Sequence, residues 1–317
     1  MIRERSCGLA ARGLIVVLLG FLAAGCGGEG APHGELQDGP GFVAGPAGPR
    51  GAATFFVRMG SKLAPHGPRH TPVPRGGNQT VNLFVIYDNN AYDERLQTAW
   101  GFACLVTRGT STVLFDTGGD GTILLKNMGI LGLDPLEIEA VVLSHIHSDH
   151  TGGLAALLDT GARPVVYVPA AFPGTFKNNV RRITRLVEVT GAEQVLPGIH
   201  SSGQVGTGIV EQALVAETEH GLVVVTGCAH PGIVEMVRRS KDSFGGQVAW
   251  VIGGFHLGGA SESRIEGIIT ELRRLGVQRV APCHCTGTQA RRMFAEAFGP
   301  AYSPAGVGWT LRLPAPN

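Results

Sequence analysis

The chain has 317 residues, with 26 lysines and arginines against 25 aspartates and glutamates. Near-neutrality without a long basic run argues against a nucleic-acid partner, and the length suits one large domain or two ordinary ones. Few aromatics beside 48 glycines describe a globular chain built heavily from small residues.

Arg3, Arg5 and Arg12 precede the apolar run Leu14 to Ala24, followed by Gly25 and Cys26. A charged start, a short apolar core and small residues before a cut site are the pattern of a secretory signal. The run is shorter than the ~20 apolar residues of a membrane span. Leu22-Ala23-Ala24-Gly25-Cys26 resembles the lipobox of bacterial lipoproteins, whose cysteine is acylated after cleavage. Residues 1–26 are therefore expected to be a lipoprotein-type signal peptide, with a lipid anchor on Cys26 holding the protein at the membrane. That places the domain in the cell envelope, in the periplasm or outside the cell; the alternative is an ordinary signal with an incidental cysteine. Residues 27–79 are dominated by Gly, Pro and scattered polar residues and read as a flexible tether, in which His33, His66 and His70 are solvated linker histidines. The folded domain is expected over residues 80–317.

Within that domain, Val81 to Tyr87, Phe102 to Thr107 and Ser111 to Phe115 are short, rich in branched and aromatic residues and bounded by Asn, Gly or Asp, which predicts strands. A helix is predicted around Thr122 to Met128, a buried strand over Ile138 to Ser144, a helix over Gly153 to Asp159 and a strand over Val165 to Val168. Further strands are predicted at Leu214 to Ala216, Leu222 to Thr226, Val248 to Gly253 and Val280 to Ala281. Further helices are predicted over Ile233 to Arg239 and Ser261 to Leu275. Strands alternating with helices indicate an α/β domain. Lys177, Arg181, Arg182 and Arg185 lie on one further predicted helix, with Arg181 and Arg185 four apart on one face. A solvated basic face is the favoured reading there, and phosphate recognition the sharper one.

The strand ending at Ser144 runs into Ser144-His145-Ile146-His147-Ser148-Asp149-His150-Thr151-Gly152-Gly153, and three later strands each lead into a histidine: His230, His256 and His284. Strand ends gather at one sheet edge, so residues distant in sequence can meet there. His145 and His147 are two apart, so on an extended segment their imidazoles point the same way. A single histidine at this turn would be a surface polar residue. Four ligand-type side chains within six positions, joined by three more strand-end histidines, point instead to a metal ion. Imidazole with carboxylate suits zinc and similar borderline ions. Cys228, Cys283 and Cys285 flank the histidines and read by default as buried, inert thiols, with zinc ligation the less favoured reading; Cys283 and Cys285 alternate across a strand and pair poorly with each other.

The His-x-His-x-Asp-His motif after a buried strand, the upstream Asp116-Thr117-Gly118 and the strand-end histidines resemble the metallo-β-lactamase fold superfamily. The segments LFDTGG, VVLSHIHSDHTGGL, VVVTGCAHPGIVEMV, VIGGFHLGGASESRIE, APCHCTGTQA and AGVGWTLRL are similar to those of its dihydropterin ribofuranosyl-aminobenzene-phosphate synthase-like subgroup, from about Val81 to Leu313. The resemblance implies an αββα four-layer sandwich with the metal centre at one edge. It implies His145, His147 and His230 as ligands of one ion, and Asp149, His150 and His284 as ligands of a second. His256 stands where the superfamily often supplies a bridging ligand, usually an aspartate, and its role stays open between ligand, catalytic group and structural residue. Asp149 and His256 are the catalytic candidates, Asp116 is expected to orient a ligating histidine, and His200 and His220 match no motif. The chain departs from the subgroup in carrying Ala99-Trp100 in place of a Glu-His pair, and in a shorter segment between His200 and Gln212.

The expected chemistry is hydrolysis of an ester or phosphoester of a small molecule by metal-bound hydroxide, with one or two zinc ions, or manganese or iron. A pterin-type transferase and a non-catalytic zinc-binding envelope lipoprotein are the alternatives.

Overall fold

A computed structural model describes residues 80–316; the signal, lipid-anchor and tether expectations lie outside them. The elements follow in chain order as β1 (Thr80–Tyr87), β2 (Ala103–Arg108), β3 (Ser111–Phe115), α1 (Gly121–Leu131), β4 (Ala140–Val142), α2 (Ser148–Thr151), α3 (Leu154–Asp159), β5 (Val165–Pro169), α4 (Gly174–Arg181) and β6 (Leu186–Val189). The second half continues with β7 (Glu193–Leu196), β8 (Ile199–Ser201), β9 (Leu214–Thr218), β10 (Gly221–Thr226), α5 (Ile233–Phe244), β11 (Val248–Gly254), α6 (Glu262–Arg274), β12 (Val277–Cys283), α7 (Thr288–Phe298) and β13 (Thr310–Pro314).

These strands make two sheets, ordered β13-β1-β2-β3-β4-β5-β6 and β12-β11-β10-β9-β8-β7. Side chains alternate across a strand, so each buried strand feeds two layers. In β10, Val223 and Val225 enter the apolar layer between the sheets, while Val224 packs beneath α5, α6 and α7 with Ile233, Met236, Ile265, Leu272 and Phe294. In β3, Val113 and Phe115 face the other sheet, whereas Leu114 meets Leu124 and Met128 of α1 and Leu157 of α3. The result is helix, sheet, sheet, helix: the αββα sandwich.

Parallel pairing decides where the site forms. Strands β3, β4, β5 and β6 run parallel to one another, as do β10, β11 and β12, so their C-terminal ends fall on a common edge within each sheet. Five of those ends carry the chemistry-bearing residues: Asp116 follows β3, His145 follows β4, His230 follows β10, His256 follows β11 and His284 follows β12.

Two local expectations change. Strand β4 stops at Val142 rather than Ser144, because the Ser144 amide turns away from the ladder to donate to Asp116 Oδ1 at 2.6 Å. Helix α4 stops at Arg181, and Leu186–Val189 pairs as a strand with β5, in keeping with its branched Val187 and Val189. Arg181 and Arg185 therefore do not share a helical face. Lys177 and Arg181 instead both close on Glu188, so these two members of the basic stretch are locally paired.

Candidate metal centre

Among the described residues, four that are not glycine have left-handed backbone: Asp116 (φ 57°), Ala229 (φ 59°), His256 (φ 51°) and His284 (φ 47°). Each lies just past a strand end at the same edge, where this uncommon conformation re-aims the chain into the site. Close packing fixes the floor. A Cβ on Gly227 would lie 2.1 Å from Ser144 Oγ and 2.8 Å from Asp116 Oδ2, so only glycine lets β10 approach this edge.

The structure brings the sequence-predicted histidines together. Ring centroids of His145 and His147 are 4.7 Å apart, His145 and His230 4.8 Å, and His147 and His230 4.9 Å. A second group gathers Asp149, His150 and His284, with His150 and His284 at 5.0 Å. The two groups touch, since His145 and His150 are 4.2 Å apart. His256 lies 4.3 Å from His230, on the exposed side. His200 stays apart and pairs with Glu217.

Hydrogen-bond chemistry assigns the protons on the rings. Asp116 is fully buried, and its Oδ2 lies 2.8 Å from His150 Nδ1. A carboxylate only accepts, so Nδ1 carries the proton and Nε2 keeps its lone pair. The Ser144 hydroxyl donates to the same Asp116 Oδ2 at 2.7 Å and so accepts from His145 Nδ1 at 2.9 Å. His230 Nδ1 meets Glu211 Oε1. His284 Nδ1 meets Asn89 Oδ1 at 3.0 Å, with Asn89 oriented by its own donation to the His284 carbonyl. Four imidazoles are thereby tied down at Nδ1 with unprotonated Nε2 atoms.

One of those atoms is orphaned. His284 Nε2 is buried with no hydrogen-bond partner; Asp149 Oδ2 stands 3.4 Å away. A buried nitrogen lone pair left unmet is costly in a folded chain, and a cation resolves it. The spacing of the donors suits one. Ligand atoms around a tetrahedral zinc with bonds of about 2.0–2.1 Å are about 3.3 Å apart. His145 Nε2 to His147 Nδ1 is 3.1 Å, and Asp149 Oδ2 stands 3.5 Å from His150 Nε2. The residues present fit a divalent ion.

Electrostatics agree with that state at His145 and Asp149 and oppose it at His150. Burial, reinforced by the neighbouring imidazoles, pushes His145 well below the ordinary histidine range, keeping it neutral. Burial opposes the charge on Asp149, but the His284 and His150 imidazoles outweigh it and hold the carboxylate ionised. Burial likewise opposes protonation of His150, and Asp116 overrides it.

Three orienting residues have no sequence motif of their own. Glu211, on the segment between β8 and β9, is fully buried and accepts from the backbone amides of Ala229 (2.8 Å) and His230 (3.0 Å) as well as the His230 ring. Asp88, also fully buried, accepts from the His284 amide at 3.0 Å, and its neighbour Asn89 holds that ring. Cys228, read as an inert thiol, places Sγ 3.3 Å from His150 Nε2, inside the second group. All four cysteines among the described residues are free.

Comparison with known proteins agrees with this architecture. The metallo-beta-lactamase superfamily pattern matches residues 101–240. The chain is 32% identical over 232 residues, 59% of this chain and 79% of the other, to the 7,8-dihydropterin-6-methyl-4-(beta-D-ribofuranosyl)-aminobenzene-5'-phosphate synthase of Methanocaldococcus jannaschii. Among solved structures, a metal-dependent hydrolase of the beta-lactamase superfamily superposes with a TM-score of 0.62 at 29% identity, covering 73% of this chain and 98% of that one. The metallo-beta-lactamase fold protein YhfI from Bacillus subtilis gives 0.57 at 15% identity, covering 74% and 99%, a likeness of fold. With its two facing sheets, its edge of histidines and these relatives, the chain belongs to the metallo-beta-lactamase superfamily.

Proposed function

We propose that the protein is a metal-dependent hydrolase of ester or phosphoester bonds in a small molecule. The observation that carries this reading is the buried, unpartnered Nε2 of His284, set among imidazoles whose Nδ1 atoms are already engaged. His145, His147 and His230 would hold one ion, and Asp149, His150 and His284 a second; zinc fits this donor set, with manganese or iron as substitutes. An ion held there would lower the pKa of bound water to about 7 and polarise the substrate oxygen. The chain's own residues supply the rest. Asp116, Glu211 and Asn89 fix the rings, which removes reorganisation from the reaction. His256 is exposed beside His230, and its hydrogen bond with Cys285 raises its proton affinity. It is thus suited to give a proton to the leaving group. Trp100 is 60% exposed and its ring lies 4.9 Å from His284, forming an apolar wall beside the second group.

A transfer reaction is the second reading, favoured by the identity to the M. jannaschii synthase and by Trp100, whose indole can stack on a flat heterocycle. Against it stand the missing Glu-His pair at positions 99 and 100 and the shorter segment between His200 and Gln212, and the lipid anchor proposed at Cys26 would hold the protein away from cytosolic substrates. The test is metal analysis of the purified protein followed by a panel of phosphomonoesters, phosphodiesters, lactones and thioesters. Turnover of one ester class that is lost on chelation and restored by zinc supports the hydrolase. Fully metallated protein inactive on every class, yet active in condensing a pterin diphosphate with an aminobenzene ribosyl phosphate, replaces it with the transferase. Binding without any turnover replaces it with a zinc-holding protein.

A further inference from the structure

The resemblance assigns imidazoles and one carboxylate to the centre and leaves Cys228 as a bystander. The geometry points to a different role: Cys228 is a thiolate ligand of the ion held by Asp149, His150 and His284. This inference rests on the metal-binding reading alone and is independent of the reaction catalysed.

Three observations carry it. First, Cys228 Sγ lies 3.3 Å from His150 Nε2, the nitrogen left free by the Asp116 contact. Sulfur and nitrogen ligands of one tetrahedral zinc, with bonds of about 2.3 and 2.0–2.1 Å, stand about 3.5 Å apart. Second, Cys228 Sγ and ligand atoms of Asp149, His150 and His284 all fall within 4.8 Å of one another, and Cys228 Sγ stands in the same relation to His230 and His256. It belongs to the second group and borders His230 of the first. Third, the orphaned His284 Nε2 opens into this same cluster, so the cluster contains an unmet buried donor quite apart from the sulfur.

The backbone holds the thiol there. Ala229, next in sequence, has left-handed backbone, and both its amide and that of His230 are clamped by Glu211. On the other side, a Cβ on Gly254 would lie 2.7 Å from Cys285 Sγ and 3.3 Å from Cys228 Cα, so β11 leaves room for the two cysteines and nothing more. A four-ligand set of Asp149, His150, Cys228 and His284 follows. A soft thiolate in that set favours zinc over manganese and other hard ions, and the chain's choice of metal is read from Cys228.

The full-length protein loaded with zinc is examined by X-ray absorption at the zinc edge, and loaded with cobalt(II) it is examined in the near ultraviolet. We expect a sulfur shell at about 2.3 Å and a thiolate-to-cobalt charge-transfer band. The band should vanish in Cys228→Ser and persist in Cys285→Ser and Cys283→Ser. The absorption measurement needs no variant, so a Cys228→Ser protein that fails to fold does not block the test. Loaded parent protein without a sulfur shell overturns the inference, as does a band that survives Cys228→Ser, or a Cys228–Cys285 disulfide found in the metal-loaded parent. A parent that takes up no ion overturns the metal reading itself and this inference with it.

Discussion

His150 and Asp116 meet through Nδ1 and Oδ2 at 2.8 Å, both side chains fully buried and 34 residues apart in sequence. The same Asp116 carboxylate accepts from the Ser144 amide and hydroxyl, and the hydroxyl in turn accepts from His145. One carboxylate thus sets the ring orientation in both histidine groups. Asp116→Ala should lower metal affinity by about 10- to 100-fold, measured by competition against a chelator. An affinity within twofold of the parent would remove Asp116 from the centre.

Glu211 has a more structural burden. It is fully buried and holds two backbone amides and the His230 ring. Glu211→Gln replaces one accepting oxygen by a donor facing donors. We expect a loss of about 1–3 kcal/mol in the metal-free protein, read from urea denaturation, together with weaker metal binding through His230.

Acid should weaken the metal-free fold through His145. Its folded pKa lies below the unfolded value of about 6.5, so below that pH the unfolded chain binds the proton that the folded chain refuses. The contribution is complete above pH 6.5 and falls as pH drops below it, at up to about 1.4 kcal/mol per pH unit. His150 is shifted upward and acts in the opposite sense, so the His145 share is isolated by difference. Thermal denaturation of chelator-treated protein between pH 7.5 and 5.5 should show a steeper loss in the parent than in His145→Gln. Parallel curves would contradict the assignment.

His256 and His147 should separate. His147→Ala should release metal, since its ring belongs to the first group. His256→Gln should retain metal and lose about 10²- to 10⁴-fold in kcat, the usual range for a lost proton donor. Metal loss in both variants would make His256 a ligand.

Much of this centre is legible in the chain because its residues lie where sequence patterns are strongest. His145 to His150 form one contiguous motif, His230 and His256 each follow a run of branched apolar residues that marks a buried strand, and His284 follows the shorter apolar stretch Val280 to Cys283. Glu211, Asp88 and Asn89 lie on loops, isolated among residues of ordinary character, and their value comes entirely from folding beside His230 and His284. Cys228 is hidden for another reason: a small buried thiol beside a glycine has the same sequence signature whether it is inert or binding. Helix α7 did leave a signal, with Ala290, Met293, Phe294, Ala297 and Phe298 at helical spacing. Strands β7 and β8 did not, being only three or four residues long and partly exposed.

The left-handed turns at Asp116, Ala229, His256 and His284 have a consequence for how such a centre can change over time. At each of these points direction is set by the main chain, at a cost of about 1–3 kcal/mol, rather than by the identity of the side chain that happens to ride on it. A donor can then be exchanged for one of another chemical kind without rebuilding the pedestal beneath it. The histidine at position 256, where the resemblance to the superfamily implies an acid, rides on such a mount, and the tool fitted to it is open to revision.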